Sequence, residues 1–200
     1  MRDRGRVCEF DGAGKPLRAV GMVQDITDRK QLELQLQELA SHDPLTGLVN
    51  RREGAVYLES QVELCRRMDL PLGLIFIDID HFKLVNDVYG HTVGDGVICQ
   101  VGQVLKKAIR ASDMVCRWGG EEFIVVAPNT TLEQIGLLSE KLRLAVLHGL
   151  AGNVPAVTIS LGGAAGLGRA IDMARLIDDA DAGLYLAKNK GRNRAEFVTT

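Results

Sequence analysis

Alternating stretches of apolar and polar residues along the chain predict a mixture of strands and helices. The longest apolar run, residues 72–77, is typical of a strand buried on both faces, and we expect that strand to cover residues 72–80. Two shorter strands flank a Gly-Gly pair, which is a strong signal for an antiparallel hairpin. These strands are expected at residues 114–118 and 123–127, with others at 157–162 and 195–198 and a Gly/Ala-rich loop at 163–168. The predicted helices cover residues 51–68, 82–89, 95–110, 132–147 and 174–189, so the pattern indicates an α+β sheet flanked by helices.

The first forty residues differ from the rest of the chain. Residues 1–27 hold too few apolar side chains for a core of their own, and a turn signal before an apolar strand predicts a hairpin that is marginal alone. A polar linker helix is expected over residues 28–42. Its Leu32, Leu36 and Leu39 recur at spacings of four and three, which is typical of a short coiled-coil seam. The alternative is a single amphipathic helix packed on the main domain.

The composition limits what the main domain, residues 43–200, can do. Lys and Arg number 24 and Asp and Glu number 26, so the net charge of -2 argues against non-specific binding to nucleic acid. No apolar run approaches the roughly 20 residues that cross a bilayer. We therefore expect a cytoplasmic domain with no membrane segment in this chain, although a full-length parent could be tethered to a membrane. The four cysteines form no CxxC pair, which argues against a zinc site or a disulfide framework.

Two acidic residues stand at the end of the buried strand. Asp78 and Asp80 are two positions apart, so in a strand both side chains point to the same side. Buried carboxylates are costly unless a cation compensates them, and Mg²⁺ is commonly held by one or two carboxylates together with substrate phosphates. The alternative is that both aspartates cap the helix that follows.

The tip of the predicted hairpin carries two more acids, in the sequence RWGGEEF at residues 117–123. A tight turn explains the Gly-Gly pair, which also lets the backbone approach a ligand closely, but it does not explain the consecutive acids Glu121 and Glu122. If the hairpin pairs beside the strand that ends at Asp78, Glu121 completes a magnesium site with Asp78.

These motifs resemble those of GGDEF-domain diguanylate cyclases, in the GGEEF variant of the signature. Four further stretches resemble family motifs and follow in the family's order: DPLTGLVNR (43–51), DIDHFKLVNDVYGHTVGD (78–95), TISLG (158–162) and ADAGLYLAKNKGRNR (180–194). The resemblance implies a palm-like, nucleotide-cyclase-like fold with a central, mostly antiparallel sheet. It also implies a nucleotidyltransferase that condenses two GTP molecules into cyclic di-GMP and two pyrophosphate ions.

The resemblance also implies the metal and catalytic roles. Asp78 and Glu121 would bind Mg²⁺, or Mn²⁺ in its place, through their side chains, and Ile79 through its carbonyl. Glu121 is also the family's candidate for activating the attacking 3′-hydroxyl. Glu122 would support the signature loop, and Lys83 would stabilise negative charge on the phosphates.

Other residues are implied to bind the substrate. Asn86 and Asp95 would recognise guanine, because a carboxylate can accept from the N1–H and N2–H₂ groups that adenine lacks. Lys188 and Arg192 would hold the triphosphate from one face of the last helix if that helix continues so far. The alternative for this pair is ordinary cations at a helix C-terminus. The remaining implied substrate contacts are His81, Phe82, Lys83, His91 and Gly119.

Arg110 and Asp113 match the family's RxxD inhibitory site in spacing and in position before the signature. Cyclic di-GMP would bind there and cause product inhibition. Without the resemblance, the same residues would be a helix-terminal arginine and an aspartate in a turn.

One site of this kind binds one GTP, so the family's reaction needs two copies facing each other, and we expect a homodimer aligned by the linker helix. Residues 1–27 resemble the last strands of a PAS sensor domain, which predicts a fragment of a longer sensor enzyme. The main alternative is a catalytically inactive GGDEF-like module that senses GTP or cyclic di-GMP. A mere dimerisation relay would leave the acids of the hairpin unexplained.

Overall fold

The computed structural model describes residues 2–31, 41–150 and 154–198. They form two compact units, Met1–Ala40 and Ser41–Thr200. No helix among these described residues is both long enough and apolar enough to cross a membrane.

The first unit is a two-stranded antiparallel hairpin followed by the start of a helix. Arg2–Phe10 (β1) pairs with Pro16–Gln24 (β2), and the carboxylate of Asp11 accepts hydrogen bonds from the backbone of the turn between them. Residues 27–31 are helical. The predicted N-terminal hairpin is thus confirmed, whereas the predicted seam of Leu32, Leu36 and Leu39 lies outside the described residues.

The second unit is built on a six-stranded sheet with the order β3-β5-β6-β4-β7-β8. Its strands are Val49–Asn50 (β3), Pro71–Ile79 (β4), Met114–Arg117 (β5), Glu122–Pro128 (β6), Ile159–Leu167 (β7) and Ala195–Phe197 (β8). The four central strands are mutually antiparallel, and only the edge strands β3 and β8 pair in parallel. The predicted central, mostly antiparallel sheet is therefore confirmed.

Five helices cover the two faces of this sheet. They are Arg51–Met68 (α1), Phe82–Tyr89 (α2), His91–Ala108 (α3), Leu132–Gly149 (α4) and Met173–Asn189 (α5). Alternate residues of β4 belong to two separate hydrophobic cores, one on each face of the sheet. Ile75, Ile77 and Ile79 pack towards α3 and α4. Leu74 and Phe76 pack towards α1 and α5. Burial on both faces explains why residues 72–77 of this strand are all apolar or glycine.

One predicted loop is in fact a strand. Residues 163–168 were expected to form a loop, but β7 continues to Leu167 and pairs with β4 along its whole length. The small residues reflect close packing rather than a turn: a Cβ on Gly162 would meet the backbone of α5, and one on Gly163 would meet the side chains of Ile135 and Phe197. A second difference is smaller, because α3 begins at His91 rather than at residue 95.

Candidate active site

Strand pairing brings Asp78 and Glu121 together at one end of the sheet. Asp78, near the end of β4, lies opposite Glu122, the first residue of β6. Beyond this pair, the backbone N–H of Ile79 donates to the carbonyl of Glu121 over 3.3 Å. The side chain of Asp78 is 11% exposed. The hairpin thus pairs beside the Asp78 strand, which is the condition on which the predicted magnesium site depends.

The two carboxylates share an environment that disfavours their charge. Burial raises the pKa of Asp78, and the nearby charge of Asp80 acts in the same direction. Burial also raises the pKa of Glu121, and the negative charge of Asp78 adds to that effect. A cation bound between the two carboxylates would relieve their mutual repulsion and favour their charged forms.

A lysine partly neutralises this pair. The ammonium of Lys188, near the end of α5, forms an ion pair of 2.7 Å with Asp78 and thereby opposes the rise in the pKa of that carboxyl. The positive charge of Arg192 acts on Asp78 in the same sense. Lys188 therefore contacts a predicted metal ligand, and Arg192 lies close enough for its charge to act on the same carboxylate.

Lys188 and Arg192 do not, however, share a helical face. The helix α5 ends at Asn189, and Gly191, Arg192 and Asn193 all have positive φ. The backbone N–H of Arg192 donates to the carbonyl of Ala187 over 3.0 Å, which closes the end of the helix as in a Schellman motif. A tight turn, rather than a further helical turn, brings Arg192 towards the acids.

The donor set fits a divalent cation. The carboxylates of Asp78 in β4 and of Glu121 just before β6, together with the carbonyl of Ile79, are hard oxygen ligands. Mg²⁺ is usually held by only one or two carboxylates together with substrate phosphates and water. The described residues contain no cluster of three or more acidic, histidine or cysteine side chains that could hold a metal by itself. The geometry thus suits a metal that arrives with a phosphate ligand.

The guanine-binding candidates lie on α2 and α3. The side-chain oxygen of Asn86 is buried and has no hydrogen-bond partner among the described residues. Gly94 leaves room for this oxygen, because a Cβ at that position would collide with it. Asp95 follows directly and is exposed, as is His91 at the start of α3. An unsatisfied buried oxygen next to an exposed carboxylate is a suitable place for a ligand with N–H donors.

The residue before α2 and the first turn of α2 hold the other residues predicted near the phosphates. His81 precedes α2 in a left-handed conformation with φ 56°, Phe82 is buried, and Lys83 is exposed. The alternative in which Asp78 and Asp80 cap α2 is wrong, because His81 occupies the cap position without a side-chain cap bond. Asp80 instead accepts hydrogen bonds from residues beyond β4, as described below.

The residues of this site lie in a part of the sequence that matches the profile of a known family. The profile described as "Diguanylate cyclase, GGDEF domain" matches residues 40–194. This chain belongs to the GGDEF domain family. Its match covers the second unit of the structure up to residue 194, including every residue of the candidate site.

Curated relatives agree with the profile. The GGDEF chain is 41% identical over 175 residues to diguanylate cyclase DgcM of Escherichia coli K12, which covers 86% of this chain and 42% of that protein. It is 40% identical over 163 residues to the response regulator PleD of Caulobacter vibrioides, which covers 78% of this chain and 36% of that protein. The chain therefore spans about two fifths of the length of these relatives.

Solved structures share the fold. The coiled coil and GGDEF domain of DgcB from Caulobacter crescentus, in complex with c-di-GMP, superposes with a TM-score of 0.75 at 30% identity, covering 83% of this chain and 89% of that one. The active GGEEF domain of a diguanylate cyclase from Vibrio cholerae gives a TM-score of 0.71 at 33% identity, covering 76% and 99%. The predicted α+β fold of the GGDEF domain is confirmed.

The signature turn of this GGDEF domain is held from both sides. The backbone N–H groups of Trp118 and Gly119 donate to the carbonyl of Glu122 over 2.8 and 3.3 Å, and the carboxylate of Glu122 lies close to Gly119. The guanidinium of Arg117 donates to the carbonyls of Gly119 and Gly120, with a shortest distance of 2.7 Å to Gly120. The turn is therefore fixed before any ligand binds.

Sequence reasoning missed two contacts that connect this turn to the first GGDEF motif, residues 43–51. Arg117 also binds the carboxylate of Asp43, and the guanidinium of Arg51 lies 4.8 Å from the ring centre of Trp118. The sequence shows that these residues belong to two separate motifs, but it does not show which of them are in contact.

The RxxD residues form a closed turn between α3 and β5. The N–H of Arg110 donates to the carboxylate of Asp113 over 3.1 Å, and the N–H of Asp113 donates to the carbonyl of Arg110 over 3.1 Å. Asp113 is buried and Arg110 exposed. Both line a cavity of about 330 Å³ that also contacts His42 and Lys106.

Proposed function

We propose that this chain is a diguanylate cyclase that condenses two GTP molecules into cyclic di-GMP and two pyrophosphate ions. The observation that carries the proposal is the pair of acids Asp78, near the end of β4, and Glu121, just before β6, with Lys188 paired to Asp78 and the charge of Arg192 acting on it. The relatives that are named diguanylate cyclases and the neighbours solved with c-di-GMP support this activity.

Guanine selection is assigned to Asn86 and Asp95. The carboxylate of Asp95 accepts from N1–H and N2–H₂ of guanine, and the unsatisfied oxygen of Asn86 supplies a further acceptor. His91, at the start of α3, stands beside them. ATP would present an acceptor at N1 instead of a donor, so we expect GTP to bind much more tightly than ATP.

Phosphate binding is assigned to the other end of the site. Lys188 and Arg192 supply positive charge for the triphosphate, and the exposed Lys83 stabilises the charge that develops on the phosphates. His81, Phe82 and Gly119 provide backbone close to the phosphates. When bound to Asp78, Glu121 and the carbonyl of Ile79, Mg²⁺ or Mn²⁺ would neutralise phosphate charge.

Bond formation is assigned to the signature acids. Glu121 withdraws the proton of the 3′-hydroxyl, and Glu122 holds the turn in which Glu121 lies. The hydroxyl oxygen attacks the α-phosphorus of a second GTP, and pyrophosphate leaves. Two such displacements join the nucleotides in a ring.

Because each site holds one GTP, the proposed enzyme acts as a homodimer. The linker helix over residues 28–42 would align the two copies through Leu32, Leu36 and Leu39. Replacing all three leucines by lysine should lower the rate at dilute protein. Unchanged rate and unchanged self-association would remove the linker from the proposal.

We further propose that cyclic di-GMP inhibits the enzyme at Arg110 and Asp113, beside the cavity described above. An arginine can grip a phosphate or a guanine edge, and an aspartate can accept from guanine. Progress curves of the wild type should level off as product accumulates, and Arg110→Ala should relieve that plateau. A plateau that persists in the variant would remove this site.

We also propose that residues 1–27 are the end of a PAS sensor domain and that the domain works in the cytoplasm. The second candidate function is an inactive module that senses GTP or cyclic di-GMP. The deciding experiment incubates the chain with GTP and Mg²⁺ at low and high protein concentration and separates the nucleotides by chromatography. Cyclic di-GMP supports the enzyme, whereas binding of either nucleotide without product at both concentrations supports the sensor.

A further inference from the structure

The carboxylate of Asp80 is a buried acceptor that the proposed chemistry does not use. It accepts hydrogen bonds of 2.6 Å from the hydroxyls of Thr158 and Ser160, and one of 3.0 Å from the backbone N–H of Asn193. Asp80 is 3% exposed. A single side chain thus joins the end of β4 to β7 and to the segment after α5.

The segment that it holds has an unusual backbone. Gly191, Arg192 and Asn193 follow each other with φ values of 104°, 62° and 47°. Left-handed backbone costs little for glycine, but it is strained for a residue such as arginine unless the surroundings maintain it. Hydrogen bonds on both sides of Arg192 are therefore needed to hold its backbone in this conformation.

Those bonds are present. On one side the N–H of Arg192 is tied to the carbonyl of Ala187, and on the other the N–H of Asn193 is tied to Asp80. The side-chain oxygen of Asn193 also accepts from Arg143 over 2.8 Å. Arg192 is thus bracketed between two anchored positions, and its positive charge acts on Asp78.

We infer that Asp80 is a positioning residue, which holds the Gly191–Asn193 turn so that Arg192 points to the β- and γ-phosphates of bound GTP. This inference rests on the proposed function, because it presupposes that GTP binds beside Asp78. A positioning role differs from a purely structural role of Asp80 in two ways. Loss of the Asp80–Asn193 bond should weaken ligand binding only when Arg192 is present, and only for ligands that carry phosphates beyond the first.

The test measures two dissociation constants on the full chain with Mg²⁺ by calorimetry. One ligand is guanosine 5′-(α,β-methylene)triphosphate, whose α–β bridge cannot be cleaved, and the other is GMP, which lacks the outer phosphates. Asn193→Pro removes the donor to Asp80 and cannot adopt a positive φ. We expect about tenfold weaker binding of the triphosphate analogue and unchanged binding of GMP, because a charge-assisted contact is lost.

A matched variant and a second anchor variant complete the test. Asn193→Gly keeps the N–H and tolerates the positive φ, so weakened binding in this variant would assign the effect to the Arg143 contact and overturn the inference. Asp80→Ala should match Asn193→Pro, and in an Arg192→Ala background it should weaken the analogue no further. Equal weakening of both ligands, or none, also overturns the inference. If the wild type binds neither ligand, the proposed function fails first.

Discussion

The guanidinium of Arg117 donates two hydrogen bonds of 3.0 Å to the carboxylate of Asp43, although 74 positions separate the two residues in sequence. The same guanidinium donates to the carbonyls of the Gly-Gly turn. Asp43 follows directly on the predicted linker helix. The pair therefore joins the point where that linker reaches the domain to the turn that carries Glu121.

This relationship predicts the effect of Arg117→Lys. Lysine keeps the charge but loses the planar group that reaches Asp43 and the turn together. We expect at least about a tenfold loss of turnover and a decrease of about 1–3 kcal/mol in the free energy of unfolding, measured by product chromatography and denaturant titration.

Arg175→Lys is the matched control. Arg175 forms an exposed ion pair of 3.7 Å with Asp179 on α5, so the change should cost no more than about 0.5 kcal/mol and leave turnover intact. If Arg117→Lys behaves like this control, the Arg117–Asp43 pair does not hold the turn.

The same pair predicts a pH dependence of stability. Burial works against the ionised form of Asp43, but hydrogen bonds from Thr46 and Arg117 outweigh it and hold the pKa of that carboxyl below its ordinary value. A lowered pKa contributes stability that is fully present above the unfolded-state pKa and is lost as the pH falls through the folded-state pKa. The excess stability of the wild type over Asp43→Asn should be constant above about pH 5 and shrink below about pH 4. A difference that grows on acidification would contradict this assignment.

Two glycines of α3 provide a paired test of the guanine site. A Cβ on Gly94 would displace the side-chain oxygen of Asn86 and lie 3.2 Å from the ring of Phe82. Among the described residues, one on Gly96 meets only a methyl of Val154, at 3.5 Å. Gly94→Ala should therefore weaken GTP binding at least about tenfold. Gly96→Ala should leave binding unchanged and add about 0.5–1 kcal/mol of stability, because alanine is the better helix former. Equal GTP affinity in the two variants would argue against Asn86 as a ligand contact.

Gly120 tests whether a ligand approaches the signature turn. A Cβ at this position meets no atom of the described residues within 4 Å. Gly120→Ala should therefore unfold like the wild type while binding GTP at least about tenfold more weakly. Unchanged affinity in calorimetry would mean that the phosphates do not come close to this backbone.

Much of the fold could be predicted because several helices and strands are encoded in the local sequence pattern. The apolar run of β4, the Gly-Gly hairpin and the bounds of α1 and α2 all follow from periodicity and turn chemistry. The predicted end of β7 was wrong. Glycines signal a turn in the sequence, but here they are required because helices pack closely against the strand.

The candidate site was less accessible to sequence. Its acids could be proposed because two carboxylates at the end of a buried strand are costly without a cation, and because a tight turn does not explain two consecutive acids after the Gly-Gly pair. The anchoring contacts could not, since Asp43 and Arg117, or Asp80 and Asn193, meet only through the folded sheet. For Arg192, a shared helical face with Lys188 required the last helix to continue to that position, and the helix ends at Asn189 instead, although the charge of Arg192 does act on Asp78.

If Asp78 and Glu121 together form the reactive site, Glu121→Gln should remove turnover and leave the fold intact. Glutamine keeps the size of the side chain and removes the charge that burial beside Asp78 disfavours, so the protein should unfold at the temperature of the wild type. Incubation with GTP and Mg²⁺, followed by separation of the nucleotides, should show cyclic di-GMP formed by the wild type. In the variant we expect a rate lower by at least about a hundredfold. Turnover retained in a folded Glu121→Gln protein would contradict the account.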